Sequence, residues 1–395
     1  MGILLKKDNN EMQLTGIARL SLITLLASLA TSLVTAIWAI YLDGFFHSVA
    51  IVGMVSAGLT LAGTLTAILF IPFIEKTSKS KIFYYSIFMI SICYLSLAFT
   101  NNLYVFLIFA TSIAILYSLR IISFGLIIKD KSKNKNLARN EGMRFTFLNL
   151  AWIIGPLIAG FISNEYGINL VFVLSAIILL FTIILSKFLG IKDNKFEKKI
   201  HGNFFKNVKD FLSDRTRLCA YAIGSGVSFW WSLIYLYVPI YIIRNNLSEV
   251  WIGYFLFAIP IPLILLELKF SKIAGNRGFR RLFQIGYLIP AIAALSCFFI
   301  GDIFVILAIL ILASIGMAML EPTTEAYFFD ISSKEDQERF YGPYNNRIEF
   351  GSLFGKLIPS IFLIFLPLKF VFLFFSGAMF IFFLISFKAK KIIET

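Results

Sequence analysis

Four stretches of this sequence, Leu103–Leu119, Leu170–Ser186, Phe304–Leu320 and Leu368–Phe387, run almost without charge. Each is roughly 17 to 20 residues long, enough to cross about 30 Å of hydrocarbon as a helix. Membrane strands would need about half that length and would alternate apolar with polar residues. The rest of the chain agrees, with 59% hydrophobic residues, only 15% charged ones and 44 phenylalanines in 395 residues. A soluble surface does not tolerate such a balance, so lipid is the solvent for much of the chain.

Extending the count along the sequence predicts twelve spans, beginning near Gly16, Val49, Ile82, Leu103, Met143, Asn169, Leu218, Val250, Leu282, Ile303, Tyr341 and Leu368. The first is too long for a signal-peptide core and is read as a retained helix. Cys93, Cys219 and Cys297 fall in or at the ends of spans without metal-ligand spacing, which suits packing and predicts no metal site. The net charge of +14 is spread over alternate connections: Glu75–Lys81, Lys129–Arg144, Lys187–Arg217, Lys269–Arg281 and Lys334–Arg347. The opposite connections carry only Arg244 and Lys369. The positive-inside rule therefore places the basic loops and both termini in the cytoplasm of a cell-membrane protein, and nucleic acid is not needed to explain the charge.

A shift of 200 positions superimposes the two halves without gaps where they match best. Ile40-Tyr41 meets Ile240-Tyr241, and Gly53 meets Gly253. Asp130, Ser132, Arg139 and Gly142 meet Asp330, Ser332, Arg339 and Gly342; Gly155, Leu157 and Ile158 meet Gly355, Leu357 and Ile358. The fold class expected is all-α: an integral membrane protein of two six-helix pseudo-repeats, 16–189 and 217–388. A cytoplasmic segment, 1–15, precedes them and a tail, 389–395, follows. The basic linker 190–216 carries Phe204, Phe205, Val208, Phe211 and Leu212 at helical spacing, which predicts a short amphipathic helix on the cytoplasmic membrane surface.

Two loops and one helix carry a family resemblance. Ile71-Pro-Phe-Ile-Glu75-Lys76-Thr-Ser78-Lys79-Ser-Lys81 and its repeat partner, Lys272-Ile-Ala-Gly275-Asn-Arg277-Gly278-Phe-Arg280-Arg281, look like degraded copies of one motif. That motif is Gly-x-Leu-Ala-Asp-Arg-x-Gly-Arg-Lys, and it belongs to the major facilitator superfamily, which the chain resembles over essentially its whole length. Gly142, Ala151, Gly155, Pro156, Ala159 and Gly160 resemble the fifth-helix motif of the family's exporters, although helix packing explains small residues at this spacing equally well. The resemblance implies two parallel six-helix halves around a central pathway, transport of a small-molecule substrate by alternating access, and gating roles for Glu75, Lys76, Lys79, Arg139, Gly155, Pro156, Arg277, Gly278, Arg281 and Arg339. It further implies that Glu75 contacts the start of span eleven near Gly342. The arginine expected in the fourth span of proton-coupled drug exporters would lie near Ala110; this chain has Arg120 instead.

Ionisable side chains inside spans are costly and mark pathways or partners. Arg120, Glu267, Glu321, Glu325, Glu349 and Lys356 are the candidates for substrate binding and coupling. Arg120 and Glu321 stand at matching depth on spans four and ten, which suggests an ion pair closing the cytoplasmic side. Glu325 lies one turn from Glu321 on the same face, which suggests a carboxylate pair that exchanges protons. Among the aromatic residues of spans one and seven, Tyr41 and Tyr241 are the preferred substrate contacts; Trp38, Trp230, Trp231 and Tyr237 are ascribed to packing or interfacial belts.

His47 and His201 fall on opposite sides of the membrane and no triad or metal constellation is visible, so no enzyme activity and no cofactor are expected. No Gly-x4-Gly-Lys-Ser/Thr loop occurs, which excludes ATP hydrolysis of that type. The expectation is a monomeric secondary transporter in a lipid bilayer, with protons as a coupling partner and export as a direction to test. The alternative is a protein of the same fold acting as receptor, scaffold or uncoupled uniporter.

Overall fold

The computed structural model describes residues 5–8, 11–14, 16–131, 137–190 and 204–390, without the side chains of 5–14, 71–76, 129–131, 137–142, 204–205, 275–277, 334 and 338. A short antiparallel hairpin, Leu5–Asp8 with Glu11–Leu14, precedes the helices and pairs Leu5 with Leu14. Spans one to six are Gly16–Phe46, Val49–Lys76, Lys79–Phe99, Leu103–Lys131, Leu137–Tyr166 and Ile168–Phe188. Spans seven and eight are each interrupted. Span seven runs Arg215–Ser232, makes a π turn at Leu233–Tyr237 and continues as Val238–Arg244; span eight runs Glu249–Ala258, breaks at Pro260 and resumes as Ile261–Arg277. Phe279–Phe299, Ile303–Ile331, Arg347–Phe362 and Phe370–Ser386 are spans nine to twelve. Among the described residues ten helices are long and apolar enough to cross a membrane, and spans eleven and twelve are shorter.

Span eleven begins later than Tyr341, where the sequence suggested. A separate helix, Lys334–Asn345, comes first, capped by Ser333, whose hydroxyl accepts from the Asp336 amide. Its sequence KEDQERFYGPYN is too polar to enter hydrocarbon, so the chain turns at Asn346 before the apolar helix starts. The linker helix forms at Phe204–Ser213. On its apolar face Phe211 is buried against the rings of Tyr221, Phe328 and Phe340 while Leu212 stays exposed, and Asp210 pairs with Arg339.

The chain forms two compact units, Met1–Tyr41 with Leu59–Glu197 and Ser248–Phe257, and Leu42–Gly58 with Lys198–Leu247 and Ala258–Thr395. The duplication is visible inside them as one seam built twice. In the first unit Ser32 of span one donates to the Ala151 carbonyl of span five at 2.8 Å, and a Cβ on Gly155 would meet the Ser32 hydroxyl at 1.9 Å. In the second, Ser232 donates to the Ser352 carbonyl at 3.3 Å, and a Cβ on Gly355 would meet the Ser232 hydroxyl at 2.7 Å. Small residues let the helix backbones touch, and the serine supplies the polar glue. Gly155 is thus a packing residue of this seam.

Each unit also borrows a segment from the other sequence repeat. In the second, Gly53 of span two leaves so little room that a Cβ would strike Ser360 of span eleven at 1.7 Å and the Tyr237 hydroxyl at 2.9 Å. In the first, Gly253 of span eight lies against the Pro156 carbonyl and Gly160 of span five. Under the 200-residue shift these are the same crossing, made once in each unit.

Candidate functional site

The polar groups inside the spans of the second unit gather where span seven departs from regular helix. Pro239 lacks the N–H that would bond back to Tyr235, and its ring would crowd that carbonyl. A π turn absorbs the conflict, with the Val238 amide reaching Leu233. The wider turn sets Tyr237 against span eleven, where its hydroxyl donates to the Lys356 carbonyl at 2.6 Å and lies 2.9 Å from the Ser360 hydroxyl. Just before it, the Trp231 indole Nε1 donates to Glu321 Oε1 of span ten at 2.5 Å, with the Tyr235 ring 5.6 Å from that of Trp231.

Glu321 has no other hydrogen-bond or ion-pair partner among the described residues; its only partner is a neutral donor. Glu267, on span eight, is close enough to act on it electrostatically and has no hydrogen bond or ion pair of its own there. Lys356 is half-buried on span eleven, and the charge of Glu349, exposed in the first turn of that span, acts on it. The cluster Trp231, Tyr235, Glu267 and Glu321 therefore combines acids and aromatic faces within the spans, with Lys356 a base on neighbouring span eleven. Such a set can hold a polar solute or a proton away from water.

The remaining candidates have contacts of their own. In the first unit Arg120 is 6% exposed; its Nη1 donates to the Ala27 carbonyl of span one at 3.2 Å and its Cζ lies 4.7 Å over the Tyr117 ring. The proposed partners Arg120 and Glu321 each find contacts inside their own unit. Glu325 shares a helix face with Glu321 but turns elsewhere, accepting from the Tyr341 hydroxyl at 2.6 Å, with Arg347 at 3.9 Å. Tyr41 donates to the Leu97 carbonyl at 2.7 Å, its ring packed with Trp38, Phe106 and Phe172; Tyr241 is buried edge-on to Phe372. Both positions are core positions, because large rings near helix ends fill the space between converging spans.

Among the motif residues, the side chains of Glu75, Lys76, Arg139 and Arg277 lie outside the described residues, and with them the expected contact near Gly342. Gly278 turns at φ 82°, a conformation that favours glycine, and its amide closes span eight on the Ala274 carbonyl at 2.8 Å. Its repeat partner Ser78 instead caps span three, accepting from the Lys81 amide, and Lys79 is the first residue of that helix. Arg281 is exposed; Arg339 holds Asn207 and Asp210 of the linker helix; Pro156 is buried inside span five.

Three residues passed over in the sequence have definite places. Trp231 is the partner of Glu321. Asp43, at the end of span one, takes a two-point contact from Arg244, 2.7 and 3.3 Å, and the same arginine donates to the His47 carbonyl at 3.1 Å. Arg347, counted with a basic loop, is 6% exposed in the first turn of span eleven. The available signal for Arg244 was its near-isolation among connections that otherwise lack charge.

The family model of the Major Facilitator Superfamily matches residues 20–302 and 260–392. The chain belongs to this superfamily. Among solved structures it is similar to a POT family transporter in complex with 5-aminolevulinic acid, with a TM-score of 0.74 at 13% identity over 94% of this chain and 95% of that one. Another structure of a POT family transporter, in complex with a thioalcohol-conjugated peptide, gives 0.75 at 13% identity over 97% of each chain. A bacterial homolog of the human lysosomal transporter Spinster, inward-facing and occupied, gives 0.72 at 15% identity over 94% and 95%. Among curated proteins none matches significantly. At such identities the superfamily fold is shared while side chains are not, so the site is argued from this chain's own residues.

Proposed function

We propose that the chain is a secondary transporter that moves a small solute across the cell membrane by alternating access and couples that movement to protons through Glu321. Glu321 carries the proposal: an acid within a span whose one described partner is the neutral Trp231 indole. A carboxylate so placed is costly when ionised, so it gains by taking up a proton or by meeting a cationic group of the solute. Trp231 and Tyr235 offer ring faces beside it, and Lys356 offers the opposite charge for an anionic group. The basic linker and both termini are assigned to the cytoplasm by the charge of the connections.

The experiment is transport in liposomes containing the full chain, with a solute chosen by a thermal-shift screen of metabolites and lipophilic cations. Glu321→Gln should abolish accumulation driven by a pH gradient while counterflow of the radiolabelled solute survives. Accumulation equal to the parent's would remove Glu321 from coupling, and absence of counterflow in the parent would favour a receptor or scaffold.

A further inference from the structure

We propose that Arg347 anchors an oxyanion-binding site at the start of span eleven, with Glu325 as its built-in competitor. A guanidinium carries five N–H donors and, when buried, normally meets a carboxylate at hydrogen-bond distance. Arg347 does not. Its one hydrogen bond among the described residues runs from Nη1 to Asn345 Oδ1 at 3.4 Å, and Glu325 Oε2 stands 3.9 Å from Nη2. The other Glu325 oxygen is already taken by the Tyr341 hydroxyl at 2.6 Å. The same unit shows what a committed pair looks like: Arg244 grips Asp43 at 2.7 and 3.3 Å.

The arginine is nevertheless held firmly. Its Cζ lies 4.1 Å over the Tyr344 ring, which stacks at 4.0 Å on Phe328 and donates its hydroxyl to the Thr324 carbonyl at 2.6 Å. On span seven, Gly224 leaves the slot for the stem: a Cβ there would stand 2.3 Å from Arg347 Cδ. Packing thus fixes the stem and one face of the guanidinium, and the terminal nitrogens are left under-used. Access comes past Glu325, whose side chain is 41% exposed against 7% for Arg347, and past the exposed Tyr341.

A carboxylate or phosphate group presents two oxygens that match the guanidinium fork. Entering such a site, it takes the place Glu325 now holds at arm's length, and the Tyr341 hydroxyl turns to it as a second donor. The same chemistry is offered by a free anionic solute and by an anionic lipid headgroup. Gly224, Tyr344 and Phe328 are positioning residues; Arg347 and Tyr341 touch the ligand.

The test titrates the full-length protein in detergent with inorganic phosphate and with succinate, at ionic strength matched with chloride. A parallel arm compares nanodiscs of phosphatidylglycerol and phosphatidylcholine, and thermal unfolding is the readout. Phosphate, succinate or phosphatidylglycerol should stabilise the parent. Glu325→Gln keeps an acceptor for Tyr341 but removes the competing charge, and should tighten anion binding about tenfold. Arg347→Gln should lose the response. A response to phosphatidylglycerol alone, with the same dependence on the two variants, supports the site and names the headgroup as its source. No stabilisation of either the parent or Glu325→Gln, or an equal response in parent and Glu325→Gln, would overturn the proposal; so would a response kept by a folded Arg347→Gln. A structural ion network only is then what remains.

Discussion

Spans one and seven occupy the same place in the two repeats and solve it differently. Span one is an unbroken helix from Gly16 to Phe46, while span seven opens into a π turn over Leu233–Tyr237. Position 39 is alanine in the first and position 239 proline in the second, and this difference accounts for the turn. The consequence reaches the chemistry. Span one offers Trp38 and Tyr41 to an aromatic core, whereas the turn of span seven sets Tyr237 on Lys356 and Ser360. Duplication thus preserved the packing frame, and a single imino acid in one copy accompanies a different placement of polar groups in the second.

The comparison breaks most sharply at that residue. Installing proline in span one, Ala39→Pro, should cost about 3 kcal/mol or more, since nothing there has widened the helix. Pro239→Ala should change stability by less than about 1 kcal/mol, because alanine fits both turns. Chemical denaturation of the two variants checks this; equal losses would mean that the π turn does not depend on Pro239.

The duplicated seam sharpens the contrast at a smaller scale. A Cβ on Gly351 would meet the Ser225 backbone carbonyl at 2.1 Å, whereas the tightest contacts of one on Gly155 are with a side chain, the Ser32 hydroxyl at 1.9 Å and its Cβ at 2.8 Å. Gly351→Ala should therefore destabilise by about 1–3 kcal/mol without a simple cure. Gly155→Ala should cost less and recover in part when Ser32→Gly removes both the hydroxyl and the Cβ that it meets, as thermal unfolding of single and double variants would reveal. Failure of that rescue would place the strain in the backbone of the first unit too.

The smallest effect is expected at the Asp43–Arg244 pair, whose side chains are 17% and 39% exposed. Its position 44 counterpart in the first repeat is glycine, so nothing balances it across the duplication. A double-mutant cycle of Asp43→Asn and Arg244→Gln should give a coupling of about 0.2–1 kcal/mol, falling with added salt. A coupling near zero at low salt would make the contact incidental.

Much of the architecture was legible beforehand because lipid imposes a one-dimensional rule: a long uncharged run must be a helix. The starts expected at Gly16, Val49, Leu103 and Ile303 are where the helices begin. Span eleven was misplaced because Tyr341, Gly342 and Tyr344 look apolar locally, while the polar helix Lys334–Asn345 that contains them stays outside the span. The charges within spans were equally legible as exceptions, since hydrocarbon makes any acid or base conspicuous.

Their partners were not. The sequence determined that Glu321, Glu325, Arg120 and Lys356 sit inside or at the ends of spans, and the 200-residue repeat determined which positions correspond. Tertiary structure alone decided that Glu321 meets Trp231, that Glu325 turns to Tyr341 and that Arg347 leaves the loop for a slot beside Gly224. Burial in lipid is a property of composition along the chain and can be summed residue by residue. A contact depends on the rotation and crossing of whole helices, which small residues such as Gly224, Gly351 and Gly355 set through close approach and which no local pattern records.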